Sequence, residues 1–262
     1  MYQQHEEYYS KVPSNEAPKL APVSLNAGSK FKSISVVFPA FNEEENIEQA
    51  IKHAHEVMSM FFHESEIIVV NDGSSDETGA IIDRLSRETD YVVPIHHEVN
   101  RGYGATLRIG IQSATKDLIF FTDADLQFDI AEIGKLLEWV EKYEIVAGYR
   151  VKRADPWHRK LNAWGWNRFV WLLLGLKVRD IDCAFKLFHR RVFEHVQMES
   201  VGAMINTEIL TKAHNAGMRL KEVPVSHYER SAGMQSGADL RVILRAFREL
   251  LKMRKKLRIS HR

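Results

Sequence analysis

Short runs of consecutive apolar residues alternate along this chain with stretches whose apolar positions recur every three to four residues. The runs cover 34–38, 67–70, 92–96, 118–121 and 145–147. Each is short and largely apolar, as in a strand covered on both faces, and each predicts a buried strand. The periodic stretches between them predict helices over 43–62, 78–87, 102–114 and 130–142, the second capped by Asp76. Strands alternating with helices of this length predict right-handed βαβ units and an α/β fold. Its sheet is expected to be mostly parallel and doubly wound, with helices on both faces. Beyond 150 the period weakens. An aromatic-rich helix is expected over 162–176, a strand over 183–188, a helix over 206–215 and a strand over 220–225. Residues 1–31 are polar, hold three prolines and show no period, so a mobile N-terminal tail is expected. We divide the rest into one domain, 32–236, and a basic amphipathic C-terminal helix, 237–262. No internal repeat or low-complexity segment is visible.

Composition narrows the class. The chain has 262 residues, 45% apolar and 27% charged, which suits a folded domain with a real core. A net charge of +1 demands no nucleic acid as partner. The single cysteine, Cys183, excludes an intrachain disulfide and fits a reducing compartment. The N-terminus lacks a signal-peptide pattern, and no apolar run of 18 residues exists, so no spanning helix is expected.

In a sheet of this kind ligands bind beyond the carboxyl ends of the strands. The polar clusters fall there: Asn42 and Glu43, then Asp72, Gly73 and Ser74, then Asp123 and Asp125. Carboxylates two apart at a strand end can approach one hard cation, and Mg²⁺ suits one or two carboxylates completed by substrate phosphate oxygens. Such a cation stabilises a departing nucleoside diphosphate. Gln127 is placed to add a carbonyl oxygen. A solvated loop with acidic helix caps is the plain alternative; the preceding strand and the two other loops weigh against it. Asp72 can accept from a nucleobase N–H or serve its turn, and local spacing does not choose. Ser74 to Asp76 read as turn and cap. Glu43 reads as a helix cap and Phe41 as a stacking surface. The Asn100-Arg101-Gly102-Tyr103-Gly104 loop can bring a phosphate or sugar to its backbone at a helix start, though it is neither the dinucleotide fingerprint nor the P-loop.

As an ordered set these pieces resemble family 2 glycosyltransferases, and among them the dolichyl- or polyprenyl-phosphate sugar synthases. The matching segments are Phe38-Pro39-Ala40-Phe41-Asn42-Glu43-Glu44-Glu45-Asn46-Ile47, Val69-Val70-Asn71-Asp72-Gly73-Ser74-Ser75-Asp76, the Asn100 loop and Thr122-Asp123-Ala124-Asp125-Leu126-Gln127. Gly148-Tyr149-Arg150, Arg179-Asp180 to Phe185-Lys186 and Glu222-Val223-Pro224-Val225 with Arg230 continue the match, which spans about 33–236. The resemblance implies the nucleotide-sugar-binding fold called GT-A and makes 32–236 a catalytic domain. It implies Mg²⁺ or Mn²⁺ at Asp123, Asp125 and Gln127. It implies donor contacts at Pro39, Phe41, Glu43, Asp72, Gly102, Gly104, Asp123, Ala124 and Asp125. It also implies that Arg150 and Arg230 lie near phosphate and act with Asp123 and Asp125 in catalysis. The chain departs from the family pattern at Asn71 for an Asp, Lys186 for an Arg, Asp182-Cys183-Ala184 for a Thr-Ser-Gly run, and Gly233 to Ser236 for a Ser-Lys pair.

These implications give an inverting transfer of a hexose from a GDP- or UDP-sugar to a polyprenyl or dolichyl phosphate. A phosphate acceptor is already anionic and needs no strong base; a saccharide hydroxyl needs one. Asp182 and Glu208 are the candidates, and neither is assigned. The alternatives are the same donor chemistry on a hydroxyl acceptor, and an inactive nucleotide-binding scaffold. The Trp164 to Leu174 segment and the basic stretch 241–262 suit peripheral contact with the cytoplasmic face of a membrane, against a bland reading as core and solvated helix.

Overall fold

The computed structural model describes residues 31–151, 157–230, 249–251 and 253–255. Seven strands form one sheet: β1 Ser33–Ala40, β2 Glu64–Asn71, β3 Val92–His96, β4 Leu118–Thr122, β5 Ile145–Arg150, β6 Phe185–His189 and β7 Leu220–Val225. Their spatial order is β3-β2-β1-β4-β6-β5-β7. The helices are α1 Ile47–Phe61, α2 Thr78–Glu88, α3 Tyr103–Ser113, α4 Ile133–Leu137, α5 Trp157–Leu174, α6 Val192–His195 and α7 Ile205–Asn215. The apolar runs read from the sequence are the sheet's centre: Val36, Val37 and Phe38 of β1, Ile67 to Val70 of β2 and Leu118 to Phe121 of β4 are all fully buried. Gly110 lets α3 lie directly on this sheet. A Cβ there would stand 2.4 Å from Val37 Cγ1.

Strand β1 pairs with β2 along its whole length but with β4 only from Ile34 to Val37. Beyond that point β1 and β4 diverge. Pro39 sits in the divergent part, where a residue without an amide hydrogen costs no bond to β4. Because β2 lies on one side of β1 and β4 on the other, this is the topological switch point of the sheet, where a crevice opens. The loops after β1 and β4 flank it.

The second half completes the mostly parallel sheet that was expected and departs from expectation in two places, the path over 130–142 and the short α6. Strand β6 runs antiparallel to both β4 and β5, so the sheet is mostly but not wholly parallel. The helix expected over 130–142 is a 3₁₀ turn, Ile130–Glu132, followed by the five-residue α4. Residues 130–134 are buried at every position, so packing on all sides, not one apolar face, sets their path. Asp129 accepts from the Ala131 amide at 2.9 Å, and Glu132 is held by the amide and hydroxyl of Ser226 at 2.8 and 2.7 Å. The short α6 was not legible from the sequence. The tail expected over 1–31 lies outside the described residues except Phe31. So does most of the helix expected over 237–262, of which 249–251 and 253–255 are helical.

Candidate active site

Three loops meet at the carboxyl ends of β1, β2 and β3, and short polar side chains tie them together. The Asn42 amide donates to Ser74 Oγ at 2.9 Å, and the Ser75 amide returns a bond to Asn42 Oδ1 at 2.9 Å. The Glu43 amide donates to Thr78 Oγ1 at 2.8 Å, whose hydroxyl donates to Asp76 Oδ1 at 2.6 Å. Asp76 also takes the Thr78 amide at 3.0 Å, consistent with its reading as a cap. Asn42 adopts φ 54°, a left-handed conformation that Asn tolerates better than most residues.

Asp72 binds the third loop to the second. Its Oδ1 accepts from His97 Nδ1 at 2.7 Å and the Arg101 amide at 2.8 Å, and its Oδ2 accepts from the Gly102 amide at 2.9 Å. Burial pushes the Asp72 carboxyl up, but these bonds outweigh it and hold the group below its ordinary range. Gly102 follows with φ 91°, which a side chain resists. The helix start expected to admit a phosphate at Gly102 and Gly104 has another neighbour. The amides of Gly104 and Ala105 donate to Val201 O at 3.0 and 3.3 Å. A Cβ on Gly104 would lie 2.5 Å from Gly202 O. The close approach that glycine permits here is taken by the 200–202 backbone.

Asp123 and Asp125 follow β4 at the crevice. Burial raises both carboxyls; the charge of Asp125 raises Asp123 further, and that of Glu43 raises both. Buried Asp123 Oδ1 has no hydrogen-bond partner, nor does the buried hydroxyl of Tyr103 beside it. Leu126, next in the turn, adopts φ 58°, which strains an ordinary residue and fixes the turn's direction. The Gln127 amide caps Asp125 Oδ1 at 3.2 Å, while Gln127 Nε2 donates to Tyr228 O at 3.0 Å. That leaves the side-chain Oε1 as the group with which Gln127 would meet a cation.

Arg230 closes the crevice from the far end of the chain. Its Nη2 donates to Glu43 Oε1 at 2.5 Å and its Nη1 lies 3.7 Å from Asp125 Oδ2. The cap expected of Glu43 is therefore a different contact: its second oxygen takes Asn46 Nδ2 at 2.9 Å, and no side chain caps α1. Arg150 is not beside this pair but forked onto Asp180, Nε to Oδ2 at 2.6 Å and Nη2 to Oδ1 at 2.7 Å. Phe41 projects from the β1 loop and is 45% exposed.

Among the described residues, no three His, Cys, Asp or Glu side chains gather as a metal cage. Buried Asp125 and half-buried Asp123, which repel each other and leave the buried Asp123 Oδ1 without a partner, still fit a divalent cation that keeps most positions for phosphate and water. Protein families place the arrangement. The profile of glycosyl transferase family 2 matches residues 35–197. The chain belongs to glycosyltransferase family 2. Glycosyltransferase AglD of Haloferax volcanii is 34% identical over 202 residues, 73% of this chain and 32% of that protein, so the chain spans about a third of this relative's length. Glucosyl-3-phosphoglycerate synthase of Mycobacterium tuberculosis, solved with Mn²⁺, UDP-glucose and phosphoglyceric acid, superposes with a TM-score of 0.65 over 91% of this chain and 84% of that one at 18% identity. The same enzyme with UDP alone gives 0.67 over 92% and 87% at 18% identity. These likenesses establish the GT-A fold of this glycosyltransferase.

Several residues of the edge escaped sequence reasoning. His97 and Tyr103 carry no local period that marks them. Lys186, noted in the sequence only as a departure, is fully buried on β6. Its Nζ donates to Cys183 O and lies 3.3 Å from Asn206 Oδ1. Burial lowers its pKa, and its charge opposes the rise at Asp123. Glu208, a candidate base, is buried and occupied by the Glu199 and Ser200 amides at 3.0 and 2.7 Å and by Lys212 Nζ at 2.7 Å.

Proposed function

We propose that this glycosyltransferase moves a hexose, with inversion, from a GDP- or UDP-sugar to a polyprenyl or dolichyl phosphate at a membrane surface. One observation carries the donor chemistry: buried Asp125 and half-buried Asp123 raise each other's charge cost at the switch point of a mostly parallel sheet, and the buried Asp123 Oδ1 has no partner. Asp123 and Asp125, with Gln127 Oε1, would hold Mg²⁺ or Mn²⁺. When bound, that cation supplies Lewis-acid stabilisation of the departing nucleoside diphosphate. Arg230 is already within reach of Asp125, so it is placed to follow the diphosphate charge as the acid turns to the cation. Phe41 offers an exposed ring face beside Pro39 and Glu43 for the base.

For the acceptor, the engagement of Glu208 supports a nucleophile that needs no base. A phosphate oxygen attacks as an anion, whereas a sugar hydroxyl must lose a proton. Arg150, forked onto Asp180, would lie near the acceptor phosphate. Peripheral membrane contact is supported by α5, where Leu172 is 65% exposed and Arg168 stacks 4.4 Å from the Trp171 ring. No helix among the described residues is long and apolar enough to cross a membrane.

The test is a thermal scan with GDP-mannose and UDP-glucose, with and without Mn²⁺, followed by transfer assays. A ligand that binds the native state raises the midpoint. We expect a metal-dependent rise with one donor, and a loss of turnover of at least about 100-fold in Asp125→Ala. Transfer to polyprenyl phosphate but not to phosphoglyceric acid or a neutral saccharide completes the reading. Transfer to the saccharide alone would replace the acceptor, and a folded protein indifferent to every donor would leave the scaffold.

A further inference from the structure

We propose that His97 is a positioning residue for the nucleotide edge: its Nδ1–H fixes the Asp72 carboxylate, and Asp72 in turn fixes the Arg101–Gly102 backbone and the start of α3. The inference rests on the functional reading above for its ligand and on the structure alone for its geometry.

The contact is short and sheltered. His97 Nδ1 and Asp72 Oδ1 lie 2.7 Å apart, with side chains 8% and 5% exposed. Asp72 receives backbone N–H groups on both oxygens, so it is an acceptor, and the ring nitrogen facing it must carry the proton. The ring itself is anchored through its backbone. The His97 amide donates to Asn71 O at 2.9 Å, extending the β2–β3 ladder one residue past the Asn71–His96 pair. Asp72 is thus gripped from a rigid strand end on one side and grips a loop on the other.

Further on, the loop is held by the Gly104 and Ala105 amides on Val201 O, but at Arg101 and Gly102 the amides have Asp72 as their acceptor. Gly102 sits at φ 91°, and its N–H is spent on Asp72. Gly73, at φ 70°, lets the 72–73 turn press against it, since a Cβ there would stand 2.7 Å from Val99 C. The residue after Gly102 is Tyr103, whose buried hydroxyl is next to Asp123 and Asn206. One imidazole therefore sets the orientation of Asp72 and, through the Arg101 and Gly102 amides that Asp72 holds, the place of the adjoining Tyr103 beside the metal carboxylate. A ring alone does not explain this arrangement. The geometry uses Nδ1, and the amide nitrogen of Asn occupies nearly the same position relative to the backbone, whereas that of Gln corresponds to Nε2.

The experiment compares His97→Asn, His97→Gln and His97→Ala in the full chain. Amide hydrogen exchange at Arg101 and Gly102 is read without ligand, and binding of UDP and GDP with Mn²⁺ is read by calorimetry. Losing one hydrogen bond to a charged group is expected to accelerate exchange and weaken the bound nucleotide about tenfold in H97A and H97Q. H97N is expected to restore both to within about threefold. Equal behaviour of H97N and H97A, wild-type behaviour of H97Q, or unchanged exchange in all three would overturn the inference. Should the variants not fold, nitrogen NMR of the wild-type imidazole decides: the proton belongs on Nδ1, and finding it on Nε2 overturns the assignment. A wild type that binds neither nucleotide sinks the functional reading, while exchange at Arg101 and Gly102 still settles the role of His97.

Discussion

The two halves of the sheet are held at their active edge by different chemistry. On the β3-β2-β1-β4 side, neighbouring loops are laced by short neutral or acidic side chains meeting backbone amides, as at Asn42, Ser74, Thr78 and Asp72. On the β6-β5-β7 side, long charged side chains reach across the chain: the Arg150–Asp180 fork at that edge, and the Arg191–Glu144–Arg219 cluster at the opposite end of the same strands. Short side chains fix a loop to within one rotamer and lose little entropy. Long ionic pairs tolerate displacement and depend on charge state. The first half is suited to holding one fixed geometry, the second to accommodating displacement.

The 199–202 loop joins the halves and is held from both sides, which makes it the place to break the comparison. Removing the carboxylate in Glu208→Ala leaves the Glu199 and Ser200 amides without their acceptor and the Lys212 ammonium with Gln197 O alone. We expect a loss of about 3 kcal/mol, read as a lower denaturant midpoint. If the loss is no greater than for a surface Glu→Ala control, the charged side is not what holds the loop. Gly104→Ala attacks the same loop from α3. Its Cβ meets backbone oxygens of Gly202 and Ser200 at 2.5 and 2.8 Å, neither of which can swing aside. About 2 kcal/mol is expected, with Gly165→Ala, where no atom lies within 4 Å, as the control.

The smallest effect sharpens the contrast through pH. Hydrogen bonds from Arg219 hold the Glu144 carboxyl down at about 2, well below its usual value. A depressed carboxyl contributes stability that is complete above about pH 4.5 and fades as pH falls toward 2. Both arginines are largely exposed, so the contribution is about 1 kcal/mol. The wild type should lose that increment between those limits, and Glu144→Gln should be flatter there. Equal slopes for the two proteins would assign the pairing no weight.

Legibility follows the same division. Strands β1, β2 and β4 are apolar runs whose burial the sequence states directly, and the acids at their ends were found because position after a strand is a local property. The partner of Glu43 was not, since Arg230 lies 187 residues away and no spacing encodes that. The direction of β6 was also hidden: Phe185, Leu187 and Phe188 are fully buried whichever way the chain runs. The helix expected over 130–142 is realised only in part, because residues 130–134 are buried at every position and packing on all sides, not the apolar period, sets their path. Lys186 shows the limit most plainly, for a lone lysine among apolar neighbours gives no sign of lying wholly inside.

The reversal of β6 also decides where the protein can grow. In the parallel strands the residues that follow each strand reach the reaction edge. In β6 it is the residues before the strand that do so, since Thr122 at the end of β4 is paired with Phe185 at the start of β6. Insertions ahead of Phe185 would remodel the mouth of the site, whereas insertions after His189 would fall at the opposite end of the sheet. One strand run backwards thus gives a lineage a second, independent connection along which to reshape the mouth of the site without touching the loops after β1, β2 and β4.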